Sequence, residues 1–247
     1  MKIENTTALV TGANRGLGKA IVDALAEAGA TVYAAARSDR GTERPNIVPV
    51  TLDVTEPGAV ADVAARLSEV TLLVNNAGVL VRGGPISAPD LAGARAEMEV
   101  NYFGSLAMAR AFAPVIERNG GGAIVNVASI LAHVPIPGAG TYSASKAAAL
   151  SMTQAMRAEL APRGIRVIGL LPAFVDTDMA AGHSGIKLSP EAVAADLLDA
   201  LRGDTEDIYP GRARELVQAF YVDPKGYERQ LANIPAPSHA TRQAAAQ

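Results

Sequence analysis

The sequence contains no cysteine among its 247 residues, which excludes disulfides, thiolate metal ligands and a cysteine nucleophile. Aromatic residues make up only 4 % and charged residues 19 %. Acidic and basic side chains nearly balance, 25 against 22, for a formal net charge of -3 at pH 7. No basic stripe stands out, so electrostatics gives no support to a nucleic-acid partner. No run approaches the ~18 uninterrupted apolar residues of a membrane span. The opening MKIENTTALVTG lacks the apolar core of a secretion signal. A soluble cytoplasmic protein is the expectation. In contrast, hydrophobic residues reach 49 %, which excludes disorder as the main state and suits helices packed closely on a sheet.

Short apolar runs alternate with amphipathic stretches. Buried strands are predicted at 7–11, 31–36, 47–52, 71–74, 123–127 and 165–171, with a short edge strand at 208–209. Helices are predicted from Gly18 to Ala28, closed by Gly29, and from Pro57 to Val70, with proline in the first turn. Others run over 91–118, bent at Pro114, over 142–161, and after Ser189-Pro190-Glu191, with two short helices beyond Gly211. Continuous apolar strands alternating with helices imply a parallel sheet covered on both faces. The fold class is therefore α/β, a doubly wound Rossmann-like parallel sheet, with residues 1–247 read as a single domain. The Pro- and Ala-rich end, 235–247, reads as a flexible tail.

The first strand meets the first helix in Thr11-Gly-Ala-Asn-Arg-Gly-Leu-Gly18. Gly12 permits a tight turn, Gly16 a close backbone approach to phosphate, and Gly18 close helix packing. The helix N-terminus then offers free N–H groups to a pyrophosphate. An acid at the end of the second strand would hold a free ribose 2′-hydroxyl. Here that strand ends in three alanines followed by Arg37, so Arg37 and Arg15 are assigned to a 2′-phosphate, whose geometry suits guanidinium. Asp53, ending the third strand, is placed to accept from the adenine amine or to cap the following helix.

With these residues in place, the sequence resembles a short-chain dehydrogenase/reductase of the compact branch. The similarity spans residues 6 to about 200. It rests on TGANRGLG at 11–18, LDV at 52–54, NNAG at 75–78, Asn101, Ser129, YSASK at 142–146 and the Pro172 loop. The resemblance implies NADP(H), bound by Gly12, Asn14, Arg15, Gly16, Leu17 and Gly18 on the turn. Arg37, Asp53 and Val54 would serve the adenosine end. Asn75, Ala77 and Gly78 would border the cofactor, with Asn76 and Gly78 holding the sheet together. Tyr142, Lys146, Pro172, Val175 and Thr177 would complete the nicotinamide end, Thr177 at its carboxamide, with the pro-S hydride presented. Two positions depart from the family pattern: Ala173 follows Pro172 where glycine is usual, and Ile208-Tyr-Pro-Gly211 replaces a frequent Asp-Gly-Gly ending near the common tetramer interface.

Tyr142 and Lys146 stand four apart on a predicted helix, on one face. A free phenol has a pKa of about 10, and a nearby ammonium together with an oxidised nicotinamide favours the phenolate. Tyr142 is therefore expected to be the acid/base, held low by Lys146. Ser129, at a strand's carboxyl end, is expected to donate to the developing alkoxide. The resemblance assigns the backbone carbonyl of Asn101 to a water in a proton relay with Lys146. No metal ligand set is predicted.

Leu80, Val81, Leu131, His133, Phe174 and Met179 are the candidate substrate walls. Most are apolar, which favours a hydrophobic ketone, aldehyde or alcohol. His133 is weighed as a contact against a solvent-facing loop residue, and Arg82 as an acid-binding residue against a surface one. The segment 177–189, with Gly182 and Gly185, is expected to be a short lid over a fairly open pocket. The function expected is NADPH-dependent carbonyl reduction or alcohol oxidation by a homo-oligomer. The alternative is a non-catalytic NADP-binding regulator or scaffold, disfavoured by the intact catalytic set. A nucleotide-sugar epimerase is disfavoured by the short remainder after the sixth strand.

Overall fold

Each strand alternates side chains between two buried faces, which explains why it reads as an unbroken apolar run. Ala8, Val10, Leu72, Val74, Val125 and Ile168 pack on one face with Ile21, Leu25, Val193 and Leu197. Leu9, Leu73, Ile124 and Val167 pack on the other with Val63, Phe112, Ile116 and Met156. The computed structural model describes residues 1–38, 44–81, 83–181 and 183–232. The expectations for Arg82, for Gly182 and for the 235–247 tail lie outside the described residues.

Seven strands form one parallel sheet: β1 (Thr7–Thr11), β2 (Thr31–Ala36), β3 (Ile47–Thr51), β4 (Leu72–Asn75), β5 (Gly122–Val127), β6 (Ile165–Leu170) and β7 (Asp207–Ile208). Their order is β3-β2-β1-β4-β5-β6-β7, reversing direction of growth beside β1, where doubly wound sheets open a crevice at their carboxyl edge. The helices are α1 (Gly16–Glu27), α2 (Pro57–Arg66), α3 (Ala92–Met98), α4 (Ser105–Arg118), α5 (Gly140–Leu160), α6 (Pro190–Arg202), α7 (Ala213–Val222) and α8 (Pro224–Ala232). Ser189 caps α6 by accepting from the Ala192 N–H at 3.1 Å.

Several boundaries differ from the sequence reading. Helix α1 starts two residues earlier, at Gly16, and α2 ends at Arg66 instead of running to Val70. The predicted 91–118 helix is interrupted at Glu99–Gly104 by a wider π turn, while α4 runs through Pro114. Such turns displace the regular backbone pairing and recur at functional sites. This one carries Asn101.

Candidate active site

At the carboxyl edge of β1 the backbone of Gly12 adopts φ +65° and passes so close to Ala77 that a Cβ would stand 2.9 Å from its Cα. A Cβ on Gly18 would lie 2.2 Å from the Gly12 carbonyl oxygen, so turn and helix fold directly against each other. Asn76 pins this cradle, its Nδ2 donating to the carbonyls of Thr11 at 2.9 Å and Gly12 at 3.2 Å. The Thr11 hydroxyl accepts from the N–H groups of Asn76 and Ala77, both at 3.0 Å. No side chain caps the start of α1, which leaves its first N–H groups for an anion. The residues present therefore fit a dinucleotide.

The adenosine end is less simple than expected. Arg37 is exposed beyond β2, and Arg15, also exposed, pairs with Asp178 at 3.0 Å. Asp53 does not cap α2, whose cap position is Glu56. Its Oδ1 accepts from the Thr55 N–H at 3.0 Å and hydroxyl at 2.7 Å. The Thr55 N–H, then its hydroxyl and the charge of Arg37, hold the Asp53 carboxyl below the usual range against a burial effect of opposite sign. Val54 is buried and packs against Gly104. Asn14 is exposed and Leu17 half-buried at the start of α1.

Asn75 ends β4. Its side chain turns into the sheet, where Nδ2 donates to Asn126 Oδ1 at 2.9 Å and to the Ser105 carbonyl at 3.2 Å. Asn126 in turn donates to Thr153 on α5 at 2.9 Å. Any contact of Asn75 with a cofactor would run through its backbone, and it is Asn76 that reaches the glycine turn.

The four residues expected to carry the chemistry come together. Tyr142 and Lys146 lie on one face of α5, with Lys146 Nζ 5.7 Å from the phenol ring centre. Nζ donates to the Val127 carbonyl at the end of β5 at 2.8 Å. Ser129 follows β5, accepting from the Leu131 N–H at 3.2 Å. Asn101 donates to Ser145 Oγ at 2.9 Å, and that hydroxyl donates to the Tyr142 carbonyl at 2.7 Å. The Asn101 carbonyl accepts from the Ser105 hydroxyl at 3.1 Å. Gly78 lies over the group: a Cβ there would stand 3.1 Å from Asn101 Oδ1 and 3.5 Å from Lys146 Nζ.

Burial opposes ionisation of both Tyr142 and Lys146. Burial pushes the Tyr142 phenol well up from 10.0, the charge of Glu97 adds to that rise, and the neighbouring Ser129 hydroxyl pulls the other way. Burial also pushes Lys146 down from 10.5 to about 8. Both groups are withdrawn from water, Tyr142 7 % and Lys146 4 % exposed, which disfavours the charged form of each.

The cover comes from the C-terminal helices, which the sequence reading left unassigned. Tyr142 packs with Leu80, Leu131 and Val134 against Ala213 and Val217 of α7 and Leu231 of α8. His133 is half-buried, and its ring nitrogens meet the hydroxyls of Tyr221 at 2.9 Å and Tyr209 at 3.2 Å, joining the Ser129 loop to α7 and the segment after β7. Pro172 is buried, its carbonyl accepting from Ile130 at 3.1 Å. Beyond it, Val175 bridges Leu188 and closes the base of the 177–188 loop. Within the loop His183 stacks on Phe174, ring centres 3.5 Å apart, Thr177 lies against Gly16, and Met179 is exposed. Three contributors went unread in the sequence: Thr11, though it stands in the glycine motif; Glu97, which has the look of a solvated helix acid; and the tyrosine pair around His133, separated from it by more than seventy residues.

This geometry matches known proteins. The family described as short chain dehydrogenase matches residues 6–185. The chain belongs to the short-chain dehydrogenase family. It is 34 % identical over 210 residues to the short chain dehydrogenase mpl6 of Monascus purpureus, covering 77 % of this chain and 70 % of that one. It is also 34 % identical over 194 residues to a 3-oxoacyl-(acyl-carrier-protein) reductase of Vibrio cholerae, covering 72 % and 77 %. A short chain dehydrogenase from Burkholderia cenocepacia, crystallised in complex with NADP, superposes with a TM-score of 0.90. That pair shares 45 % identity over 95 % of this chain and 100 % of the other. As a short-chain dehydrogenase the protein is an oxidoreductase, and its seven-stranded sheet is that of its structural relatives. Among the described residues no helix is long and apolar enough to cross a membrane, and no cluster of acids and histidines is suited to a metal ion.

Proposed function

We propose that this short-chain dehydrogenase is an NADP(H)-dependent carbonyl reductase acting on a hydrophobic ketone or aldehyde, with Tyr142 as its acid/base. The observation that carries the reading is the enclosed Ser129, Tyr142, Lys146 group at the sheet's carboxyl edge, two strands from a glycine cradle with an uncapped helix start. The dinucleotide would be held by that cradle, with Arg37 as the basic group at the end of β2 where an acid would select the unphosphorylated form. NADP(H) supplies the hydride when bound.

The chain's own residues handle the proton. Tyr142 gives its hydroxyl proton to the carbonyl oxygen, and Ser129 donates a hydrogen bond to the same oxygen as charge develops there. Lys146, anchored on the Val127 carbonyl, keeps a positive charge beside the phenol and stabilises the phenolate left after transfer. Reduction suits the acid side of about pH 8, where Lys146 is still an ammonium and Tyr142 still a phenol. Leu80 and Leu131, packed with Tyr142, favour an apolar substrate body. The decisive experiment is loss of NADPH absorbance with a panel of aryl and cyclic ketones. Tyr142→Phe is expected to lower kcat by about 10²- to 10⁴-fold. Tight NADPH binding without turnover across the panel would replace this reading with a non-catalytic binder.

A further inference from the structure

Helix α7 has two unlike faces. Ala213 and Val217 are buried and Leu216 and Phe220 half-buried, whereas Arg214, Glu215, Gln218 and Ala219 are exposed. The inner stripe recurs at three- and four-residue steps, the spacing of one helix face. It packs in an apolar cluster with Leu131, Val134 and Tyr142. The cofactor cradle belongs elsewhere: Ala13 and Leu17 of the glycine turn pack in one sheet core, and Ala77 in the other. The cluster around Tyr142 is a third, separate one, and it also takes in Leu80 and Ala173 from the loops after β4 and β6. An apolar group carried by a carbonyl at the Tyr142 hydroxyl therefore has this cluster, and not the cradle, to lie against.

Both ends of α7 are held by specific contacts. Before its start, Gly211 turns the chain after β7 with φ +58°, and a Cβ there would stand 3.0 Å from Leu188 Cδ2. The Ala213 N–H donates to the Pro210 carbonyl at 3.1 Å, and the Arg214 guanidinium lies over the Tyr209 ring, 4.7 Å from its centre. Near the far end, the Tyr221 hydroxyl meets His133 Nδ1 at 2.9 Å, while His133 Nε2 meets the Tyr209 hydroxyl at 3.2 Å. A neutral imidazole offers one donor and one acceptor, and a phenol can complement either, so one histidine satisfies both tyrosines. Ala213, Val217 and Tyr221 follow at four-residue steps along one row, about 12 Å from first to last. Val217 is the midpoint of that row. His133 closes the short turn that Ser129 opens, so the row is referenced to the Ser129 turn itself. We propose that Val217 is a specificity-determining residue, the apolar stop for the non-reacting part of the substrate, and that His133, through Tyr221, is the positioning residue that sets its distance from Tyr142. A wall held at fixed depth admits a ketone up to a given size and rejects larger ones, because overfilling a packed apolar site strains it. This deepens the reading of Tyr142 as proton donor and rests on it.

The test measures binding without turnover. The oxidised cofactor has no hydride to give, so calorimetric titration of the NADP⁺-loaded protein with cyclohexanone, acetophenone and 2-acetylnaphthalene reads size preference alone. Val217→Ala is expected to shift the preference toward 2-acetylnaphthalene by about 10-fold, and Val217→Phe to shift it the other way. Tyr221→Phe keeps the ring and loses the hydroxyl. It is expected to relax the preference in the Val217→Ala direction by about 2- to 10-fold, the loss of one hydrogen bond. All three ketones weakening by one common factor in Tyr221→Phe, or no change at all, would overturn the positioning role. The same preference in the parent and the Val217 variants, or no ketone binding to the parent, would overturn the selection itself. NADP⁺ affinity reports that each variant is folded, and if Val217→Phe fails that check, Val217→Ala decides alone. Ketone binding to the parent without oxidation of NADPH would remove the role of Tyr142 and leave the size selection standing, so the two failures read differently.

Discussion

Lys146 holds a charge where burial opposes it, and replacing it should make the protein more stable while ending its chemistry. Burial lowers its folded-state pKa from 10.5 to about 8. The unfolded chain therefore binds the proton more tightly, and stability rises with pH between those values. The linkage gives a penalty of about 3 kcal/mol at pH 7, falling to about 1.4 kcal/mol at pH 9.5. Lys146→Met removes that penalty and fills similar volume. It also strands the Val127 carbonyl, at a cost of about 1–3 kcal/mol. The net gain at pH 7 is thus small, and the pH dependence is the sharper signal. Urea unfolding of the parent should show about 2 kcal/mol more stability at pH 9.5 than at pH 7, relative to the Lys146→Met variant. The two proteins changing in parallel across that interval would refute the burial argument. Reductase activity is lost in the variant at either pH.

Two further substitutions test the cofactor side. Arg37→Ser should raise the KM for NADPH about 10- to 100-fold, the loss of a charge-assisted contact, and leave that for NADH nearly unchanged, as read from initial rates. Gly18→Ala places a methyl 2.2 Å from the Gly12 carbonyl. It should cost about 1–3 kcal/mol in thermal unfolding and abolish fluorescence-detected NADPH binding.

The strands and the glycine turn were legible because local rules decide them: β-branched and small apolar runs, closed by glycine, proline or an acid, can only be buried strands in a chain of this pattern. Tyr142 and Lys146 were legible for the same reason, since helical spacing puts them together regardless of the rest. Position was lost where distant packing decides it. Glu97 sits among Arg95 and Glu99 and is distinguished only by α3 lying on the 79–81 segment. The π turn at 99–104 leaves no trace in the apolar stripe around it. His133 needed Tyr209 and Tyr221 to acquire a role, and Tyr142 needed α7 and α8 to become enclosed. That enclosure also pushes the Tyr142 phenol up, an effect of missing water that a spacing argument does not see.

The amide chain from Asn75 through Asn126 to Thr153 has a consequence for aim. Asn75 and Asn126 are direct partners in the β4–β5 ladder, so a one-residue slip would leave both amides stranded in hydrocarbon. Thr153 follows Lys146 by seven residues and Tyr142 by eleven, close to two and three whole turns. Rotation of α5 about its axis is therefore clamped from the middle of the sheet. The direction in which the phenol and the ammonium point is inherited from a bond some three turns away, and a Thr153 replacement would misalign the chemistry without touching it.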